Sequence, residues 1–156
     1  KPRVVIIQRT QTRRILNVQQ LRDVALGFTR HVQVVDLQVM SVQNQIRTIT
    51  CGNPVVAAVH GAGLAWTMLL KHTGRRAAVI EWTWPSWSTY YAGRSQSTNV
   101  LAFESRLPMS HTTCPGGYVK NCCSGDCHYP TKHVDVKVDT QTWHRDLTRA
   151  FTHIHG

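Results

Sequence analysis

Uninterrupted apolar runs and alternating stretches predict a series of short strands along the chain. Three runs lack the alternation of a half-exposed strand, which indicates strands covered on both faces, as in a parallel sheet. A stretch after residue 30 alternates instead, and one after residue 99 is apolar again. The predicted strands are residues 3–8, 31–37, 55–59, 77–80 and 100–103.

Segments with helical spacing separate these strands. Asn17 is a plausible N-cap of a first helix, with Leu21, Val24, Ala25 and Phe28 on its apolar face. Ser41 is a plausible N-cap of a second helix, with Val42, Ile46 and Ile49 inward, and Leu64 and Met68 begin a third pattern. The order β-α-β-α-β-α-β is typical of a doubly wound parallel sheet. We therefore predict an α/β fold, a Rossmann-like three-layer parallel sheet forming a single domain over residues 1–156.

After residue 106 the chain becomes rich in Pro, Gly, Ser and Thr, which predicts a long loop at about residues 107–131. A late strand is predicted at 133–138 and an amphipathic terminal helix at about 141–155. The loop holds four of the five cysteines, which are Cys114, Cys122, Cys123 and Cys127. Disulfides of a secreted protein are the favoured interpretation; a zinc site is the alternative, although the usual pair of ligand knuckles is missing.

Composition limits the function. Hydrophobic content of 42% is that of a folded chain, and no apolar run reaches the roughly 18 residues of a membrane span. A net charge of +10 favours a polyanionic ligand, but the basic residues lack the interleaved aromatics of a nucleic-acid groove. Because the chain enters a strand directly after Lys1-Pro2, we expect a fragment of a longer protein, with any targeting segment or membrane anchor upstream.

A glycine turn follows the central apolar run at His60-Gly61-Ala62-Gly63. Glycines allow a sharp turn and close approach of a ligand to the backbone. The first N–H groups of a following helix would suit a phosphate or diphosphate. The alternative is an ordinary strand-to-helix turn with no ligand.

Three arginines follow the first strand, at Arg9, Arg13 and Arg14. Ligands of open α/β sheets bind at the carboxyl ends of the strands, and arginine grips phosphate through two hydrogen bonds. Whether Arg9 and Arg13 converge depends on the loop between them, so a solvated basic turn stays open as the alternative.

Glu81 ends the next predicted strand, where a carboxylate is placed to accept hydrogen bonds from a ribose. A solvated residue at a strand end is the alternative. The loop after it, Trp82 to Trp87, offers aromatic rings that either stack on a base or sugar or fill the core.

Three motifs in this order resemble the carboxyl-terminal half of the family 61 glycosyltransferases. They are the stretch RTQTRRILN at residues 9–17, the strand leading into His60-Gly61-Ala62-Gly63-Leu64, and Val79-Ile80-Glu81 followed by Pro85. The resemblance covers about residues 4–85. Within the family it is greatest to the animal protein O-mannose β-1,4-N-acetylglucosaminyltransferase and the EGF-domain-specific O-GlcNAc transferase.

The resemblance implies the carboxyl-terminal, donor-binding domain of an inverting GT-B enzyme, whose amino-terminal acceptor domain is absent from this chain. Carried over, Arg9 and Arg13 meet the diphosphate, His60 to Gly63 form the turn beneath it, and Glu81 holds the ribose. Asn17 belongs to the same donor-binding motif.

The resemblance further implies transfer of N-acetylglucosamine from UDP-GlcNAc to a hydroxyl of a glycoprotein or glycan, with no metal or other cofactor. It implies a location in the lumen of the endoplasmic reticulum or Golgi. The catalytic base is not identified. The alternatives are a nucleotide-binding module without catalysis, a basic nucleic-acid-binding domain, and a Rossmann methyltransferase or dehydrogenase. The glycine motif GxGxxG is absent after the first strand, which argues against a methyltransferase or dehydrogenase.

Overall fold

Five parallel strands form the main sheet of the protein in this computed structural model, which describes residues 1–84, 91–108, 110, 112–113 and 134–156. The strands are β1 (Pro2–Ile7), β2 (Val32–Val35), β3 (Asn53–Val59), β4 (Ala77–Thr83) and β5 (Val100–Arg106). Their order across the sheet is β2-β1-β3-β4-β5. The α/β class and the parallel sheet predicted from the sequence are confirmed, and the arrangement is consistent with a Rossmann-like fold.

Helices cover this sheet. The α-helices are α1 (Val18–Leu26), α2 (Val42–Thr50), α3 (Tyr91–Ser95) and α4 (Thr140–His155), with 3₁₀ helices at Leu37–Val39 and Ala62–His72. A small antiparallel pair, β6 (Thr112–Thr113) and β7 (Asp135–Val136), lies outside the main sheet. None of the helices in the described part of the chain is both long and apolar enough to cross a membrane.

Both faces of the sheet are buried, as the uninterrupted apolar runs predicted. On one face Val4, Val55 and Ile80 pack with residues of α1 and α4. On the other face Val5 and Val56 pack with Leu64 of the 3₁₀ helix and with residues of α2. Because side chains of a strand alternate between faces, each strand contributes to both layers of the core. The sheet therefore lies between two layers of helices, which is the three-layer arrangement.

Most strands differ from their predicted bounds: β2 and β7 are shorter than predicted, and two others are longer at their carboxyl ends. β4 continues to Thr83 and β5 to Arg106, so Glu81 lies within a strand and not at its end. The strand can continue because Trp82 and Trp84 are fully buried, and Trp82 meets the ring of Trp143 at 5.2 Å between centroids. These two tryptophans therefore belong to the core, while residues 85–90 of the aromatic loop lie outside the described residues.

The helix after the glycine turn is a 3₁₀ helix, where the sequence indicated an α-helix. Its buried residues are Leu64, Thr67 and Leu70, spaced by three, which matches three residues per turn. Thr67 gives a physical reason for this register: its hydroxyl donates to the Leu64 carbonyl and lies 2.7 Å from the Ser95 hydroxyl. Met68, predicted on the apolar face, is only half-buried.

The predicted caps are confirmed in part. Ser41 accepts a hydrogen bond from the Asn44 amide at the start of α2, but Val42 is exposed and not inward. Asn17 stands at the N-cap position of α1 without capping it, because its side chain bonds elsewhere. Cys114, Cys122, Cys123 and Cys127 lie outside the described residues, as does most of the predicted 107–131 loop.

The terminal helix is confirmed, with Asp139 accepting a hydrogen bond from the Thr142 amide at 2.7 Å. Its buried Asp146 accepts a hydrogen bond from the Ser105 hydroxyl of β5 at 2.6 Å. Burial raises the pKa of Asp146 above its ordinary value of 3.8, although the Ser105 hydrogen bond and two nearby arginines oppose this. The folded chain therefore holds this proton to a higher pH than the unfolded chain.

We expect Asp146→Asn to stabilise the protein at pH 7. Between the pKa of Asp146 in the unfolded chain and its higher pKa in the folded chain, unfolding releases a proton, so the stability of the folded state falls as the pH rises. Above this window the carboxylate is charged in both states, and the cost of burying its charge no longer changes with pH. Asparagine retains an oxygen for Ser105 and removes the charge. Urea midpoints of the two proteins should differ at pH 7 and converge below about pH 3.8. Equal midpoints at both pH values would contradict this.

Candidate functional site

The strand order creates a crevice at the carboxyl edge of the sheet. β1 is flanked by β2 on one side and β3 on the other, so the chain leaves β1 and β3 toward opposite faces. In open parallel sheets this switch point is where ligands bind. The arginine loop, residues 9–14, follows β1, and His60-Gly61 follows β3. The two predicted motifs therefore meet at this crevice.

Arg9 and Arg13 converge on Gly61. A side-chain Cβ built at Gly61 would lie 2.8 Å from Arg13 Nη1 and 3.0 Å from Arg9 Nη1. Arg13 Nη1 also donates a hydrogen bond to the His60 carbonyl at 2.6 Å. Gly61 has φ of 156°, a conformation that residues with a side chain rarely adopt. The structure thus brings together two guanidinium groups whose convergence the sequence left open.

The charges around Gly61 favour the binding of an anion. Burial, and next the charge of Arg9, lower the pKa of Arg13 from its ordinary value. No carboxylate among the residues the structure describes forms an ion pair with Arg9. An anion between the two guanidinium groups would offset their repulsion and accept hydrogen bonds from both.

A buried His60–Glu81 pair supports the turn from beneath. His60 Nδ1 and Glu81 Oε1 are 2.5 Å apart, and Glu81 Oε2 accepts a hydrogen bond from the Ala92 amide at 2.8 Å. Glu81 is fully buried, and the ring of Tyr91 lies 5.6 Å from the His60 ring. Both carboxylate oxygens are thus engaged. For Glu81 to hold a ribose, it would have to turn away from His60 and Ala92.

Asn17 and Arg14 have other partners. The Asn17 amide group donates to the Val138 carbonyl at 2.8 Å and its oxygen accepts from the Val138 N–H at 3.0 Å. Arg14 forms a salt bridge with Asp135 at 2.6 Å. The structure therefore assigns these two side chains of the motif to internal contacts, and Arg9 and Arg13 to the crevice.

A cavity of about 210 Å³ opens beside Arg9 at the same edge of the sheet. Its walls include Asp36, Gln45 and Gly63, together with Ile7, Leu37, Gln38 and Ala62. Pockets for drug-sized ligands measure about 300–1,000 Å³. This cavity is therefore smaller than a pocket that encloses a whole drug-sized ligand.

A larger cavity, of about 640 Å³, lies at the opposite edge of the sheet. Its walls include Lys1, Arg3, Arg30 and His31, at the amino ends of β1 and β2. The glycine turn and the strand carboxyl ends contribute nothing to it. Size alone is a poorer guide than the position of the strand ends, so we place the functional site at the smaller cavity.

Two site residues were missed by the sequence interpretation. Asp36 directly follows β2, and its two oxygens accept from the Gln38 amide at 2.9 Å and the Thr10 hydroxyl at 3.0 Å. Asp36 was missed because the predicted strand 31–37 ran through it, whereas β2 ends at Val35. Asp135, which pairs with Arg14, is separated from it by 121 positions, and no local pattern links the two.

The comparisons with known proteins agree with this placement. Residues 1–77 match the model of the family described as Glycosyltransferase 61. The matched segment contains β1 to β3, the arginine loop and the glycine turn; Glu81 lies beyond it. No curated protein matches the chain. The family match supports the resemblance found in the sequence and, with it, a glycosyltransferase.

Proposed function

We propose that this chain is the donor-binding part of an inverting family 61 glycosyltransferase that uses UDP-GlcNAc. The observation that carries the proposal is the convergence of Arg9 and Arg13 on Gly61, at the switch point of the sheet, within the segment that matches the family. Two guanidinium groups at such a position can bind the two phosphates of a diphosphate, each through paired hydrogen bonds.

The diphosphate would lie over Gly61, between the two guanidinium groups. The Leu64 amide bonds back to the Gly61 carbonyl at 3.0 Å, which begins the 3₁₀ helix. The amides that precede Leu64 have no partner within that helix, so they are placed to donate to phosphate oxygens. A glycine at position 61 leaves room for the two guanidinium groups to lie close to the backbone of the turn.

The chemistry proposed for this site is stabilisation of the leaving group. The acceptor hydroxyl oxygen forms a bond to the anomeric carbon from the face opposite the diphosphate, and the bond from that carbon to the β-phosphate oxygen breaks. UDP leaves with the bonding electrons, and Arg9 and Arg13 offset its added charge. The hydroxyl proton passes to a general base that is not identified. Two arginines supply the charge that a divalent metal would otherwise supply, so we propose a metal-independent reaction.

The nucleoside would extend into the cavity beside Arg9. Ile7 and Leu37 give it apolar walls, and the Gln45 amide and Asp36 carboxylate give it hydrogen-bonding groups. Asp36 is the better candidate than Glu81 for the ribose hydroxyls, because it lines the cavity while Glu81 is fully buried.

The remaining parts of the proposal come from the family. They are a second, acceptor-binding domain facing this edge in a GT-B arrangement, a glycoprotein or glycan acceptor, and a location in the lumen of the endoplasmic reticulum or Golgi.

Titration of the chain with UDP by calorimetry tests the proposal. We expect saturable binding that is the same with EDTA as with Mg²⁺. Arg9→Gln and Arg13→Gln should each weaken it by about 10- to 100-fold, since hydrogen bonds to charged groups contribute about 1.5–3 kcal/mol. Arg75→Gln, which removes one charge from an exposed position elsewhere, is the matched control. Absence of binding by the folded chain, or equal effects of all three variants, would overturn the assignment.

A further inference from the structure

The arginine loop is fixed to a distant part of the chain through Arg14. The Arg14 amide donates to Asp135 Oδ1 at 2.8 Å, and its Nε and Nη2 donate to Asp135 Oδ2 at 2.9 and 2.6 Å. Asp135 is only 3% exposed. These hydrogen bonds raise the pKa of Arg14, so its charge is constant at any physiological pH.

Backbone contacts continue this attachment for three further residues. The Val136 amide donates to the Arg14 carbonyl and the Leu16 amide to the Val136 carbonyl, each at 2.8 Å. Asn17 then pairs with the backbone of Val138. Residues 14–17 are therefore held along the segment 135–138, which we call the strap.

Arg13 lies directly before this attachment and has φ of 56°, a left-handed conformation that costs a non-glycine residue free energy. At the other end of the loop, the Gln8 amide donates to the Val35 carbonyl at 2.8 Å, and the Thr10 hydroxyl donates to Asp36. A loop anchored at both ends retains a strained residue between them. Without the strap, Arg13 would relax to a more common conformation, and its guanidinium would leave the position above Gly61.

We propose that Asp135 is a positioning residue for the diphosphate site, acting through Arg14 on the conformation of Arg13. Asp135 itself has no contact with the ligand. This inference rests on the proposed function only in the identity of the ligand, because the attachment of the loop is a property of the chain alone.

The test compares two substitutions of Asp135. Asp135→Asn retains an oxygen for the Arg14 amide and loses the ion pair, whereas Asp135→Ala loses all three hydrogen bonds. We expect the Kd for UDP to rise about tenfold in Asp135→Ala and less in Asp135→Asn, so that the conservative variant rescues part of the affinity. Asp139→Ala, which removes the cap of α4, is a control for general destabilisation.

A second measurement separates this inference from the proposed function. Hydrogen exchange of the Leu16 and Val136 amides should be faster in both Asp135 variants than in the unchanged protein. In Asp139→Ala it should not be faster, when the rates are compared at equal free energy of unfolding. If the unchanged protein does not bind UDP, the proposed function fails, and the exchange result still decides whether Asp135 fixes the loop. Unchanged exchange, or UDP affinity that falls only as far as in Asp139→Ala, would overturn the positioning role.

Discussion

Gly61→Ala is expected to abolish measurable UDP binding while the chain stays folded. Two effects combine at this residue. The backbone has φ of 156°, where an L-residue is strained, and the added Cβ would lie 2.8 Å from Arg13 Nη1 and 3.0 Å from Arg9 Nη1. Backbone strain of this kind costs about 1–3 kcal/mol. The guanidinium groups can move aside, but then they leave the positions from which both reach one phosphate. Calorimetry against UDP and a urea unfolding curve measure the two effects separately.

Gly74→Ala is the matched control for this substitution. Gly74 also has a positive φ, 66°, and a Cβ there would meet nothing within 4 Å. We therefore expect a similar loss of stability with unchanged UDP affinity. If Gly61→Ala binds UDP as well as the unchanged chain, the ligand does not lie over this turn.

Glu81→Ala is expected to cause the largest loss of stability. It leaves the His60 imidazole and the Ala92 amide, both bonded to Glu81, without these partners in a buried place. Leaving a buried hydrogen-bonding group without its partner typically costs about 1–3 kcal/mol, and two such groups are affected here, out of the roughly 5–15 kcal/mol of a whole domain. The free energy of unfolding in urea measures this. Asp23→Ala is the control, because Asp23 pairs with Arg22 on the surface and keeps 61% of its side chain exposed; about 1 kcal/mol or less is expected there.

Glu81→Gln, the milder variant, distinguishes two roles of the carboxylate. If Glu81 positions His60 and the glycine turn, affinities for UDP and for inorganic pyrophosphate should fall together. If Glu81 holds a ribose, only the affinity for UDP should fall, because pyrophosphate has no ribose. We expect the first result, and we expect Asp36→Asn to give the second.

The sequence predicted some residues of the site and missed the contacts of others. Arg9, Arg13 and the turn at Gly61 follow short apolar strands, so the sequence placed them at the same edge of the sheet. The His60–Glu81 pair was not foreseen, because the register of β3 against β4 decides which side chains are neighbours, and no apolar pattern carries that register. A carboxylate at residue 81 looked exposed only because the strand was expected to end there.

The sequence by itself determined the alternation of strands and helices and the parallel sheet. Apolar runs and turn residues act over a few neighbouring positions, and both can be read from a single segment. Only the tertiary structure decided that Arg13 and Arg9 converge, that Arg14 is held by Asp135, and that Glu81 is buried. These contacts join residues that are up to 121 positions apart in the chain. Their geometry depends on how the helices and strands pack, which no local stretch of sequence specifies.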